Sequence, residues 1–205
     1  MSKIVVINNI TLDGVMQSPA RPDEDTRGGF THGGWAIPYN DNDEVLSREM
    51  GRLMAEGTTQ GGSLLFGRRT YEDFYAVWPN RTDNPFTPVL NNTKKYVAST
   101  TLTEPLTWQN STLLKGDVAE AVARLKEESE KDIGILGSGD LIQTLMRHHL
   151  IDQFVLLIYP LVLGSGRRLF PDNGAYAALR LVNTVPTTNG VVIATYQLAE
   201  PTTAG

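Results

Sequence analysis

Leu64-Leu65-Phe66-Gly67-Arg68-Arg69-Thr70-Tyr71-Glu72 is the stretch around which the rest of the chain can be organised. An apolar run ends at a glycine, two guanidinium groups follow at once, and a hydroxyl residue opens an amphipathic segment. The run reads as a buried strand. Tyr71, Phe74, Tyr75 and Trp78 then cluster on one side of a short helix that Pro79 ends. A buried strand feeding a helix is the repeating unit of a parallel sheet covered on both faces. The junction also sets fixed positive charge, a close-approach backbone and free helix N–H groups at the carboxyl end of the strand, which suits a phosphorylated ligand. Two cations at a helix N-terminus oppose the helix dipole, so the pair implies an anion. The plainer meaning of Arg68 and Arg69 is a solvated pair at a helix start.

Outward from this stretch the alternation repeats. Lys3 to Ile10 is a β-branched, apolar first strand followed by the turn-like Asp13-Gly14. Residues 17–42 are rich in Gly, Pro, Asp and Asn, with Phe30, Trp35, Ile37 and Tyr39 as their large apolar groups; a loop of that length inside a compact domain is usually functional. Asp43 to Gly57 carries Leu46, Met50 and Leu53/Met54 at helical spacing, with Gly57 as a stop. Short strands follow at 96–99 and 111–114. Asp117-x-x-Glu120 resembles a capping box, opening a helix striped by Val118, Ala121, Val122 and Leu125. Ile133 to Leu136 is a strand that runs through Gly137-Ser138-Gly139-Asp140 into a helix bearing Leu141, Ile142, Leu145 and Met146. Strands at 154–159 and 191–198 close the pattern without an intervening helix. The expected fold is α/β: a three-layer α/β/α domain over residues 1–205 with its core at about 3–198, a mainly parallel central sheet, an antiparallel C-terminal hairpin and a frayed tail at 201–205.

Composition narrows the chemistry. With no cysteine, disulfides, thiol nucleophiles and thiolate metal sites are excluded, and three histidines show no metal-ligand spacing. A net charge of -5 gives no general surface for nucleic acid or acidic membranes. No secretory signal or membrane span is visible, so a cytoplasmic protein acting on a small molecule is the expectation.

Two further turns favour anions. Gly137-Ser138-Gly139 sits at a strand-to-helix junction, where backbone N–H groups can approach a ligand; it lacks the six-residue spacing of a dinucleotide fingerprint and also fits a plain tight turn. Ser99-Thr100 follows a strand, where hydroxyls also serve ordinary turns. All three follow strands of one parallel sheet, whose carboxyl ends collect ligands.

Thr11-Leu12-Asp13-Gly14, Gly67-Arg68-Arg69-Thr70-Tyr71-Glu72, Gly137-Ser138-Gly139, Leu150-Ile151-Asp152-Gln153 and Leu163-Gly164-Ser165-Gly166-Arg167-Arg168-Leu169-Phe170, in that order, resemble the dihydrofolate-reductase-like superfamily. The closer likeness is to the branch related to the carboxyl-terminal reductase domain of the bifunctional riboflavin-biosynthesis deaminase/reductase, over roughly residues 3 to 198. The resemblance implies an NADPH site. In it Gly67, Arg68 and Thr70 hold the pyrophosphate and adenosine side, and Arg69 shares the 2′-phosphate. Ser99 and Thr100 flank the adenosine phosphate, and Gly137, Ser138, Gly139, Asp140 and Leu141 meet the pyrophosphate through backbone N–H groups. A planar, permanently charged guanidinium suits a phosphate.

Two positions depart from that branch. Val15 stands where a lysine usually follows Asp-Gly, and Leu136 where a glutamate usually precedes the glycine turn. Both departures argue against the riboflavin-pathway substrate. Folate reductases carry a carboxylate on the first helix, and Asp41, Asp43 and Glu44 stand near that place, although a carboxylate there is equally a helix cap. His32-Gly33-Gly34-Trp35 could shape a substrate or nicotinamide pocket. The proton source is then water or one of Asp13, His32, Asp41 and Asp43, with Trp35 and Asp41 on the substrate. Arg167 and Arg168 either bind a substrate phosphate or decorate a turn.

The leading expectation is an NADPH-dependent reductase transferring hydride to a small heterocyclic, carbonyl or imine compound. Such transfer asks the protein for placement and water exclusion more than for a catalytic triad. Two alternatives stand beside it: a non-catalytic nucleotide or anion binder on the same fold, and a true dihydrofolate reductase. Relatives often pair through the sheet edge, so a homodimer is expected.

Overall fold

The computed structural model describes residues 2–55 and 62–199; Gly57 and the 201–205 tail lie outside them. The strands are β1 (Ile4–Thr11), β2 (Ser63–Gly67), β3 (Lys94–Ala98), β4 (Ser111–Leu114), β5 (Ile133–Leu136), β6 (Gln153–Tyr159), β7 (Leu179–Pro186) and β8 (Val192–Leu198). They form one sheet in the order β4-β3-β2-β5-β1-β6-β8-β7. Every pairing from β4 across to β6 is parallel, and β8 runs antiparallel between β6 and β7. The mainly parallel sheet and the antiparallel C-terminal hairpin are thus as the sequence pattern implies.

Alternation along β1 divides the core. Ile4, Val6 and Ile10 face a layer made by α5 (Val118–Glu128) and α6 (Gly139–Arg147), where Val122, Leu125, Ile142 and Leu145 are buried. Val5 and Ile7 face the other side, where Leu46 and Leu53 of α2 (Glu44–Met54) pack on Val155 and Leu157. Leu64 and Phe66 of β2 take Tyr71 of α3 (Arg68–Val77) and Leu90 of α4 (Phe86–Asn92). Each such aliphatic or aromatic side chain contributes about 1.5–3 kcal/mol on burial. Asp43 caps α2 by accepting the Leu46 N–H at 2.8 Å, and Asp117 caps α5 through Glu120 N–H at 3.0 Å, as its spacing predicts.

Outside the 17–42 loop, two described elements escape the sequence pattern. In α4, seven residues including Pro88 are too short to show a stripe. β7 is exposed at most positions, as an edge strand with one uncovered side must be, so its alternation is lost. The sealed Lys95 was also not anticipated. Its ammonium closes the C-terminus of α4 by donating to the carbonyls of Leu90 and Thr93, both at 2.7 Å, and burial pushes it down to about 8.

The 17–42 loop contains a 3₁₀ turn at Arg27–Gly29 and the single-turn α1 (Ile37–Asn40). Trp35 and Tyr39 pack edge-on against Tyr159 at the end of β6, with ring centroids 5.2 and 5.7 Å away. Burial pushes the Tyr159 phenol up to about 12, and its hydroxyl donates to Asn40 Oδ1 at 2.8 Å. The loop is therefore fastened to the core at its far end, which leaves its first half over the carboxyl ends of the strands.

Candidate functional site

β2 and β5 are hydrogen-bonded neighbours, so the two glycine junctions that follow them meet. The Gly67 N–H donates to Ser138 Oγ at 3.0 Å. Ser138 and Gly137 both have positive φ, 65° and 62°, which turns the backbone sharply before α6 begins. The positive φ of Gly137 disfavours any side chain, and a Cβ there would crowd Thr70 Cγ2 at 3.1 Å. From the third side, Met16 in the loop after β1 presses its sulfur against Gly139. Three strand ends thus converge, the usual ligand position in an open α/β sheet.

The convergence opens a cleft of about 1130 Å³. Gly67, Arg68, Arg69 and Thr70 line one part of it, with Gly137 to Leu141 beside them. Seven arginines and five carboxylates line the whole, so the cleft is locally positive on a chain of net charge -5. Arg68 is paired with Glu72 at 3.0 Å on the next turn of α3. Arg69 is exposed and has no ion-pair partner among the described residues, which leaves it available to an anion. The other end of the cleft is apolar, with Ile7, Met50, Phe74, Val77, Trp78 and Leu157.

The roof is the loop at 16–27, and Gln17 holds it. This buried residue donates to the carbonyls of Asp25 and Arg27, both at 3.0 Å, and accepts the Arg167 N–H at 2.9 Å. Its own carbonyl receives Trp35 Nε1–H at 2.7 Å. Neither Gln17 nor the cleft-lining Asp73 was singled out in the sequence. A lone glutamine in a loop carries no spacing signal, and an aspartate on an amphipathic helix reads as a solvated face.

Several expected site residues lie elsewhere. Ser99 and Thr100 are outside the cleft lining; the Ser99 hydroxyl accepts the N–H groups of Thr101 and Leu102 at 3.1 and 3.0 Å, so it shapes a turn. Asp13 is also off the cleft. It accepts the Leu163 and Gly164 N–H groups at 3.2 and 2.8 Å and the Thr11 hydroxyl, joining the loop after β1 to the loop after β6. Burial opposes its charge, but the Thr11, Gly164 and Leu163 donors prevail and hold its carboxyl below the ordinary value. Asp43 is buried and takes N–H groups from Leu46 and Asn189, so it works as a cap and a clasp. Trp35 is buried in the core, while His32 and Asp41 are exposed away from the cleft. Proton transfer or substrate contact by these five has no geometric support: their side chains are occupied by the scaffold or face solvent beyond the cleft.

Arg167 and Arg168 do reach the cleft, but each has a partner. The Arg167 guanidinium meets the Asp140 carboxylate, and Arg168 Nε donates to the Asp13 carbonyl at 2.9 Å. Val15 and Leu136, where lysine and glutamate were missing, are apolar in fact as well as in sequence. Val15 is sealed in the core, and Leu136 packs beside Phe66 and Tyr71. Among the described residues no group of His, Asp or Glu could hold a metal ion, and no helix is long and apolar enough to cross a membrane.

This sheet order defines a dihydrofolate-reductase-like α/β/α fold. The chain belongs to the family described as the RibD C-terminal domain, whose model matches residues 2–193. It is similar to YyaP of Bacillus subtilis (strain 168), 31% identical over 157 residues that cover 74% of this chain and 81% of the relative. Among solved structures it superposes on a putative riboflavin biosynthesis protein from Shewanella sp. PV-4 with a TM-score of 0.70 at 22% identity, covering 97% and 99% of the two chains. Dihydrofolate reductase from Enterococcus faecalis, complexed with NADP(H), gives 0.62 at 15% identity with 97% of each chain covered. At those identities the likeness is one of fold.

Proposed function

We propose that this protein is an NADPH-dependent reductase of a small heterocyclic, carbonyl or imine compound. The observation that carries the reading is the interlock of Gly67 with Ser138, which sets two helix N-termini and Arg69 around one cleft. The residues fit a pyrophosphate. Gly137 leaves a cradle that a Cβ would fill, the first N–H groups of α6 have no partner within their helix, and Arg69 is uncommitted among the described residues. When bound, the dinucleotide supplies a hydride and its two electrons. The protein's own residues do the rest. Arg69 and Thr70 grip the phosphorylated end, the α6 N-terminus orients it, and Phe74, Val77 and Leu157 hold an apolar substrate away from water.

Titration of the intrinsic fluorescence with NADPH tests this, with saturation in the micromolar range expected. No saturable binding below about 1 mM, the weak end of ordinary enzyme affinities, removes the reading. A second reading, a binder without turnover, is favoured by one observation: Glu72 and Asp140 already neutralise Arg68 and Arg167. NADPH consumption with a panel of carbonyl and imine compounds separates the two. Folate reduction has less support, because Asp43 is turned into the α2 cap. A homodimer through the exposed β7 edge, where Leu181 and Val182 are about half exposed, belongs to the same proposal.

A further inference from the structure

Five carboxylates line the cleft, and four of them are engaged or face open water. Glu24 accepts the N–H groups of Ala20 and Arg21, Asp25 is paired with Arg27, Asp140 is paired with Arg167, and Asp172 is exposed. Asp73 differs. It is partly buried, and it accepts no hydrogen bond and forms no ion pair among the described residues. It lies on the stripe of α3 that faces the cleft, one turn past Arg69 and Thr70, with Phe74 and Val77 continuing the same stripe into the apolar end. One helical turn is about 5.4 Å, so Asp73 stands between the phosphate grip and the space left for a substrate.

We propose that Asp73 is the general acid of the reduction, giving its carboxyl proton to the nitrogen or oxygen of a C=N or C=O bond held at the apolar end of the cleft. The assignment rests on the reading of the cleft as a dihydronicotinamide site. The bond changes balance. The carbon of the double bond receives the hydride with its two electrons, the π pair moves to the heteroatom, and the Asp73 proton completes the N–H or O–H bond. The carboxylate left behind recovers a proton from water.

The surroundings make this carboxyl harder to ionise than a free one. Burial and then the charge of Glu24 raise the Asp73 carboxyl above its ordinary value; Asp25 adds to this, while Arg21 and Arg27 of the same loop oppose it. A carboxyl that keeps its proton closer to neutral pH is the better proton donor there. No spacing rule identifies such a residue in sequence, because the loop that faces it is about fifty positions away.

The test uses the full-length chain. In the free protein, the carboxyl carbon of Asp73, assigned by its loss in Asp73→Asn, titrates above 3.8 by NMR; a midpoint at or below that value overturns the proposal whatever the substrate. Asp73→Asn keeps NADPH affinity within about twofold, while reduction of the neutral carbonyl compound p-nitrobenzaldehyde falls by about 10²–10⁴-fold, the range general acids supply. The N-methyl iminium salt of 3,4-dihydroisoquinoline needs no proton, so its reduction survives the substitution, and Asp73→Glu restores part of the aldehyde activity. Equal loss with both substrates, or wild-type rates with the aldehyde, overturns the general acid alone. Failure of the unsubstituted protein to bind NADPH overturns the cofactor reading and the general acid with it.

Discussion

Two pairs of glycine turns sit at the same end of this sheet, and in sequence they look alike. Gly67-Arg68-Arg69 and Gly166-Arg167-Arg168 each set two arginines after a glycine, and each turn meets a second one brought from elsewhere in the chain. In the first pair, Gly67 and Ser138 share one hydrogen bond, and the remaining donors face a cleft. In the second, the polar groups satisfy each other. Asp13 takes the Leu163 and Gly164 amides, Val15 forms a β-bridge with Arg168, Leu169 N–H donates to the Gly14 carbonyl, and Arg168 donates to the Asp13 carbonyl. One junction is a socket and the other a weld. An anion-friendly sequence offers a ligand site only where the fold leaves its donors without protein partners.

The difference can be broken most forcefully at Gly166. Its φ is 114°, and a Cβ would lie 2.7 Å from both Phe30 and Val15. Gly166→Ala is expected to cost about 3 kcal/mol by chemical denaturation, from backbone strain and overpacking together. A variant as stable as the parent would show that this joint is not fixed.

Asp13→Ala removes acceptors for two amides and a hydroxyl, at about 2 kcal/mol near neutral pH. The sign with pH follows from a folded-state value held below 3.8. The carboxylate's contribution is fully present above 3.8 and is lost as pH falls through the lower, folded value. The stability gap between variant and parent should therefore narrow in acid; a gap that widens contradicts the charged clasp.

The smallest effects separate the arginines. Arg69→Ala should weaken NADPH by about tenfold and NADH by less, for one lost charge-assisted contact. Arg168→Ala should change NADPH affinity by under about threefold, since its Nε already serves the Asp13 carbonyl. Equal losses would erase the distinction between socket and weld.

The fold was largely legible because its signals are local. Leu64 to Phe66 ending at Gly67, and Ile133 to Leu136 ending at Gly137, each announce a strand and a helix within about ten residues. The glycine halves of the cleft were legible for the same reason. Ser99 was misleading because a hydroxyl after a strand has the same local appearance whether it serves a turn or a ligand. Asp13 and Asp43 were misleading in the same way, since carboxylates drawn to caps and clasps resemble catalytic ones until their donors are seen. Val15 and Leu136 were read as departures from a substrate-binding pattern; Val15 is sealed in the core, while Leu136 is partly buried and forms part of the cleft wall.

By itself the sequence determined the alternation of strands and helices, the places where glycine lets the backbone turn, and the absence of thiol chemistry. These follow from propensity and periodicity, which act over a few residues. Only the tertiary structure decided which cleft arginines and carboxylates lack a partner among the described residues, and which glycine turn is closed by its neighbour. Those outcomes depend on partners far apart in the chain, such as Asp13 with Leu163 and Gly67 with Ser138. A hydrogen bond satisfied across that separation leaves no trace in either local pattern, yet it settles whether a polar group is available to a ligand.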